Sequence, residues 1–249
     1  MKRLSEGVFH GVLCASVAVA SGHLNAAQNM PSRAPQATLQ LDTSDYNKYA
    51  HEVREQSGLF FREPWQRYSA PMEHPVTQGN VANPNLELKL YGPSASQLLI
   101  GGSPELPSNP PHLWTGMCEQ VCGMALRDRN NFVDLSGLGK IRWLVKVSGL
   151  HRIHPIIKLA DGTWLLGEHG DDNTADLLQS EFTLSEWRWI RLDVGRLVTV
   201  GRWLDKADLT RVDEIGFTDL MPGSGHGDGG YSDVCWIEVY GKAVPRKPD

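Results

Sequence analysis

The feature that constrains this chain most is a period-two rhythm in short runs. In residues 141–147, Ile141, Trp143, Val145 and Val147 alternate with Arg142, Leu144 and Lys146. Leu86, Leu88 and Leu90 alternate with Glu87 and Lys89 in the same way. Side chains point to opposite faces at successive strand positions, so this rhythm builds a sheet with one face buried. Further strand-like runs occupy 121–126, 151–159, 163–166, 187–194, 214–218 and 234–240. Turn residues separate them, and no βαβ spacing intervenes. The expected fold is therefore all-β: an antiparallel β-sandwich from about residue 85 to 243. The 25 glycines and 15 prolines fit so many turns, and a formal net charge of −5 argues against a general grip on nucleic acid.

The segment before the sheet divides in three. Lys2 and Arg3 precede an apolar run from Val8 to Ala20, followed by small residues at Ala26 and Ala27. This is the layout of a secretory signal peptide (residues 1–27), and it implies a secreted or periplasmic protein. The alternative for the run is a buried N-terminal strand. It is too short to span a bilayer, and no longer apolar stretch follows. Residues 28–84 read as an extension or linker. Within it, Tyr46, Tyr49, Ala50 and Val53 predict a short helix over 44–57, and the prolines between 62 and 84 predict a loop-like surface crossing. Residues 244–249 read as a tail. Of the cysteines that follow the leader, Cys118 and Cys122 are spaced to bridge a turn. Cys235 reads as a small core residue, and no second ligand pair makes a zinc site.

Three segments carry a further pattern: Asn131-Phe132-Val133-Asp134-Leu135-Ser136-Gly137-Leu138 before a strand with Trp143, then Trp189-Ile190-Arg191-Leu192-Asp193-Val194, and a closing Ser232-Asp233-Val234-Cys235-Trp236-Ile237-Glu238-Val239-Tyr240. This resembles the jelly-roll carbohydrate-binding modules of the galactose-binding-like superfamily. The resemblance implies a two-sheet jelly roll, a glycan partner and a structural Ca²⁺ near Asp233. It names no ligand, because sandwiches of this kind serve many functions.

Strand alternation then sorts side chains by face. Ile153, Ile157 and Leu159 are expected in the core, with Arg152, His154 and Lys158 outside, although Pro155 suits an edge or bulge better than a central strand. Asp161-Gly162 signals a two-residue hairpin, which would set Leu159 opposite Trp164, place Trp164 in the core, and bring His154 opposite His169. Ile190, Leu192 and Val194 are expected inward, with Trp189 and Arg191 outward. The open face would then gather Arg142, Lys146, Arg152, His154, Lys158, Trp189 and Arg191. Such a patch suits an acidic, uronic-acid-containing oligo- or polysaccharide: tryptophan stacks on the sugar and arginine grips its carboxylate. The plain alternative is a solvated face of long charged chains.

Other groups leave several readings open. His154, His169 and Tyr231 are candidates for the base of a lyase-type β-elimination, with Arg152 or Arg191 neutralising the carboxylate. His154 and His169 also read as ring nitrogens hydrogen-bonded to neighbours, or as metal ligands with Asp193, although two histidines do not define a metal site. Asp171, Asp172 and Asp176 form an acidic loop without a defined Ca²⁺ spacing. The glycine-rich stretch 221–231 presents His226 and Tyr231, either as a ligand-binding rim or as a long flexible hairpin.

Overall fold

The structure is a computed structural model that describes residues 57–66, 73–222 and 230–246. The leader, the helix expected over 44–57 (but for its last residue) and His226 lie outside the described residues. Seventeen strands follow one another: β1 Leu59–Glu63, β2 His74–Pro75, β3 Leu86–Tyr91, β4 Leu99–Gly101, β5 His112–Trp114, β6 Cys122–Asp128, β7 Asn131–Asp134, β8 Lys140–Val147, β9 Arg152–Leu159, β10 Trp164–Gly167, β11 Asp171–Asp172, β12 Leu178–Thr183, β13 Trp189–Asp193, β14 Val198–Leu204, β15 Val212–Asp219, β16 Ser232–Tyr240 and β17 Lys242–Pro245.

They form two antiparallel sheets. The front sheet runs β12-β8-β16-β5-β4-β2, with β1 also paired to β16. The back sheet runs β14-β13-β10-β9-β15-β6-β3, with β11 beside β9, β7 beside β15 and β17 beside β7. The expected all-β sandwich is present. Among the described residues no helix is long and apolar enough to cross a membrane.

Its core lies between the sheets. Ile141, Trp143, Val145 and Val147 of β8 meet Val234, Ile237 and Val239 of β16 from the front. Leu86, Met124, Leu126, Ile153, Ile157, Ile215 and Phe217 close it from the back. Removing this apolar area from water supplies the main drive to fold. The sandwich begins earlier than residue 85. Phe61, Trp65, Val76 and Val81 are buried in the same core, and β1 and β2 belong to the front sheet. Buried Glu63 holds this stretch in place by accepting the backbone N–H groups of Trp65, Ala82 and Asn83. Pro84 does stand in a turn, but Pro75 is part of β2, and the apolar residues along this stretch are core. Cys118 and Cys122, which their spacing allowed to bridge, form a disulfide with Cα atoms 6.2 Å apart.

Two register facts change which residues meet. The β9–β10 loop has three residues, not two, because Leu159 and Thr163 pair across Ala160-Asp161-Gly162. Gly162 sits at φ +89°, the left-handed position that such a loop demands. Trp164 therefore pairs with Lys158, and that one-residue slip turns it to the outer face of the back sheet. There it joins Ile156, Leu166, Ile190, Leu192 and Leu197 in a second apolar cluster. Pro155 stands inside the sheet at a break: the partner of Ile156 is Leu166, while the partner of Ile153 is Asp171. Four residues thus oppose two, a bulge where a missing N–H costs least.

The second fact concerns β13. Trp189 is 0% exposed and Trp187 is buried with it in the main core, while Ile190 and Leu192 face the other way. The outward placement of Trp189 is corrected. Its ring lies 5.9 Å from Trp187, which continues through Phe182 (5.1 Å) to Trp143 (5.2 Å from Phe182). This aromatic column joins the two sheets, and burying large rings outweighs burying Ile190 and Leu192 on that side.

Candidate binding cleft

The seven residues expected on one face occupy three. Arg142 and Lys146 project from the outer face of the front sheet, since their β8 neighbours fill the core. Arg152, His154 and Lys158 project from the outer face of the back sheet. Trp189 is core, and Arg191 shares its side of β13, opposite Leu165. Alternation was read correctly on β8 and β9. The strands belong to different sheets, so their outward faces look in opposite directions.

Most of these cations are also neutralised by neighbours. Lys158 Nζ lies 2.8 Å from Glu214 Oε1 and 3.5 Å from Asp213 Oδ2. Arg142 reaches Glu181 at 3.4 Å and Glu238 at 3.3 Å. Arg152 lies 3.9 Å from Asp172. The two histidines take separate partners as well. His154 Nδ1 faces the Gly167 carbonyl oxygen at 3.1 Å, and burial holds its imidazole below the usual range. His169 is exposed and meets the edge of Trp187 at 5.0 Å. Tyr231 lines a cleft of the front sheet that includes neither histidine, so the three candidate bases do not form one site.

A different site lies on the outer face of the front sheet. It is a cleft of about 230 Å³, lined by Glu73, His112, Trp114, Lys146, Tyr231, Asp233 and their neighbours. Strands β5, β8 and β16 build its floor. Asp233 stands between Trp114 on β5 and Lys146 on β8. The 102–111 loop supplies Ser108, Asn109 and Pro110 as one wall, and Leu177 stands near Lys146. Trp114 and Tyr231 are half-buried, with ring centroids 6.5 Å apart and nearly perpendicular planes. Gly116 makes the indole's position possible, because a Cβ there would fall 2.5 Å from the ring. Only Lys146 and Tyr231 of this set were named in advance as recognition or base candidates. The glycine, proline and serine content of 101–112 was legible, but not that its loop would wall a cleft.

The floor is chemically unusual. Asp233 is 9% exposed, and its Oδ1 receives no hydrogen bond from any described residue. His112 Nε2 lies 3.5 Å from that oxygen, too far for a good hydrogen bond. Burial pushes the Asp233 carboxyl up to about 6, against the opposing pull of His112 and Lys146. Cys235 is buried, as expected, but on the cleft floor rather than in the inter-sheet core. Burial, with the nearby Asp233 charge, pushes its thiol up to about 12. The Ca²⁺ expected at Asp233 does not fit these residues. Its near neighbours are Lys146 and His112, and no group of three side chains suited to a metal exists among the described residues.

A buried polar network closes one end of the core. Asp219 Oδ2 meets His151 Nδ1 at 2.5 Å and accepts from Ser232 Oγ at 2.8 Å and Thr115 Oγ1 at 3.2 Å. It joins back-sheet β15 to front-sheet β16 and the residue after β5. Ser232 donates to the carboxylate and not to the histidine, so these groups are a clamp and not a nucleophile with its base.

An outward cleft on an antiparallel sandwich is the class of architecture that these observations define. No protein-family model matches the chain, and no curated protein matches it in sequence. Solved structures give distant likenesses. A family 11 carbohydrate-binding module from Clostridium thermocellum, in complex with a β-1,3-1,4-mixed-linked tetrasaccharide, is 17% identical, with a TM-score of 0.40 over 72% of this chain and 100% of that one. TmCBM61, in complex with β-1,4-galactotriose, is 8% identical, with a TM-score of 0.36 over 62% of this chain and 88% of that one. The carbohydrate recognition domain of Emp47p is 9% identical, with a TM-score of 0.34 over 70% and 96%. Likeness at this level assigns no ligand to this chain, and the site is argued from its own residues.

Proposed function

We propose that this protein binds a saccharide in the front-sheet cleft. The carrying observation is the pairing of aromatic walls with a polar floor: Trp114 and Tyr231 stand beside a buried carboxylate oxygen that lacks a donor among the described residues. A sugar offers both complements, since its C–H face packs on a ring and its hydroxyls donate hydrogen bonds.

The finer reading, an acidic glycan, is supported now by one residue. Lys146 lines the cleft and makes no ion pair within 4.0 Å among the described residues, whereas Arg142 on the same strand is held by two glutamates. A uronate carboxylate would complete Lys146, while Glu73 and Asp233 add charge of the opposite sign. A neutral sugar needs only the rings and the floor. An exported setting is supported by the Cys118–Cys122 disulfide, which persists in oxidising compartments. Among the described residues the groups named for β-elimination do not assemble into one set, since Tyr231 lines the front-sheet cleft while Arg152 and His154 project from the back sheet.

The test is affinity electrophoresis of the full chain against neutral and uronic-acid polymers, with Trp114→Ala and Lys146→Met beside it. Trp114→Ala is expected to abolish retardation by every polymer that the parent recognises. Lys146→Met is expected to reduce retardation by uronic polymers alone. Retardation of the parent that survives Trp114→Ala intact would place binding elsewhere.

A further inference from the structure

Two hydrogen-bond acceptors face each other on the cleft floor. His112 Nδ1 lies 2.8 Å from the Pro110 carbonyl oxygen. A carbonyl only accepts, so Nδ1 carries the ring's proton, and in the neutral imidazole Nε2 is a bare lone pair. Nε2 lies 3.5 Å from Asp233 Oδ1, and Oδ1 is buried without a donor among the described residues. A buried acceptor left in this state is costly. The deficit has two remedies. One proton can enter between Oδ1 and Nε2, or an incoming molecule can bring a donor.

We propose that Asp233 and His112 act as a proton-sharing pair whose proton competes with a ligand hydroxyl, so that the cleft's hold on its saccharide weakens as the pair takes up that proton. This rests on the saccharide reading above and adds its regulation. With the pair deprotonated, Oδ1 and Nε2 both await a hydroxyl. With the pair protonated, the two groups close their 3.5 Å gap and share the proton.

The groups that face Asp233 are compatible with this switch. Lys146 stands directly across on β8 and Trp114 across on β5. Cys235 lies two residues along β16, where its raised thiol stays neutral through the relevant range. Tyr231 and Glu73 complete the ionisable lining. Lys146 favours the carboxylate, and so does His112 whenever its ring is charged, yet burial outweighs both and pushes the Asp233 carboxyl up to about 6. One unit below that value about a tenth of the carboxyl is ionised, which lowers apparent affinity about tenfold.

The experiment has two arms on the full chain. In the first, without ligand, the Asp233 carboxyl carbon and the His112 ring nitrogens are followed by NMR from pH 4 to 8. In the second, binding of soluble mixed-linkage β-glucan and of polygalacturonate is measured at pH 5, 6 and 7.5, for the parent and for Asp233→Asn. Near-UV circular dichroism checks that the fold is kept throughout. One transition sensed by both residues is expected, together with binding about tenfold weaker at pH 5 than at pH 7.5. Asp233→Asn is expected to lose that slope. Transitions sensed separately by the two residues would overturn the shared proton. Binding of equal strength at every pH, or a slope retained in Asp233→Asn, would overturn the competition while leaving the saccharide reading intact. Failure of both polymers at all pH values would overturn the saccharide reading, and the competition with it.

Discussion

Asp233 also makes a stability prediction that needs no ligand. Its carboxyl lies at about 6 in the fold, above its ordinary value of 3.8. Between those values the folded state holds more protons than the unfolded chain, so stability falls as pH rises through the window. Asp233→Asn removes this term. At pH 7 the variant is expected to be more stable than the parent by up to about 3 kcal/mol, with the difference vanishing below pH 4. Urea unfolding at pH 3.5, 5 and 7 checks the sign, and a variant less stable at pH 7 would show that Asp233 is better satisfied than its geometry indicates. A second residue-scale prediction concerns Gly116. Gly116→Ala is expected to turn Trp114 and weaken saccharide binding at a stability cost of about 1–3 kcal/mol, read by tryptophan fluorescence, affinity electrophoresis and urea unfolding. Neither residue was singled out from sequence as part of a recognition site. Asp233 was noticed for a metal, and Trp114 stands in a three-residue strand too short to show a period.

At the scale of elements, the β9–β10 hairpin shows how a single residue redirects a surface. Asp161-Gly162 was correctly legible as a turn, but its length was not. The three-residue loop sent Trp164 outward and moved His154 and His169 out of register. Gly162 has open space around it, so only its positive φ resists a side chain. Gly162→Ala is expected to cost about 1–2 kcal/mol, measured by thermal unfolding. A cost near zero would mean that the loop adopts another turn. The Cys118–Cys122 bridge closes a short loop, with a sequence separation of 4. The double Cys→Ala variant is expected to lose about 2 kcal/mol from loop entropy, plus the packing of two buried sulfurs, as judged by its denaturant midpoint. Their spacing made this bridge legible, because the pairing partner is local.

For the whole molecule, the Asp219 network holds the two sheets together at one end. Asp219→Ala strands His151, Ser232 and Thr115 in a buried setting, with a penalty of about 1–3 kcal/mol for each unsatisfied group. A loss of at least about 3 kcal/mol is expected by urea unfolding. A smaller loss would mean that water replaces the carboxylate and that the clamp is dispensable. Sequence gave no sign of this network. His151, Asp219, Ser232 and Thr115 are scattered along the chain, and each is an ordinary loop or strand residue by composition.

Period-two alternation depends on neighbours two positions apart, so the strands of 141–147, 151–159 and 234–240, and the sandwich they imply, were determined by the chain's own order of residues. Which sheet a strand joins, and which of its faces meets the other sheet, depends on partners dozens of residues away. That is why Arg142 and Lys158, both correctly read as outward, project from opposite sides of the protein, and why Trp189 is core. The cleft is assembled the same way. Its floor takes Trp114, Lys146 and Asp233 from three strands distant in sequence, and only their antiparallel pairing brings together, in a cleft that Tyr231 also lines, a carboxylate oxygen and an ammonium that lack partners among the described residues.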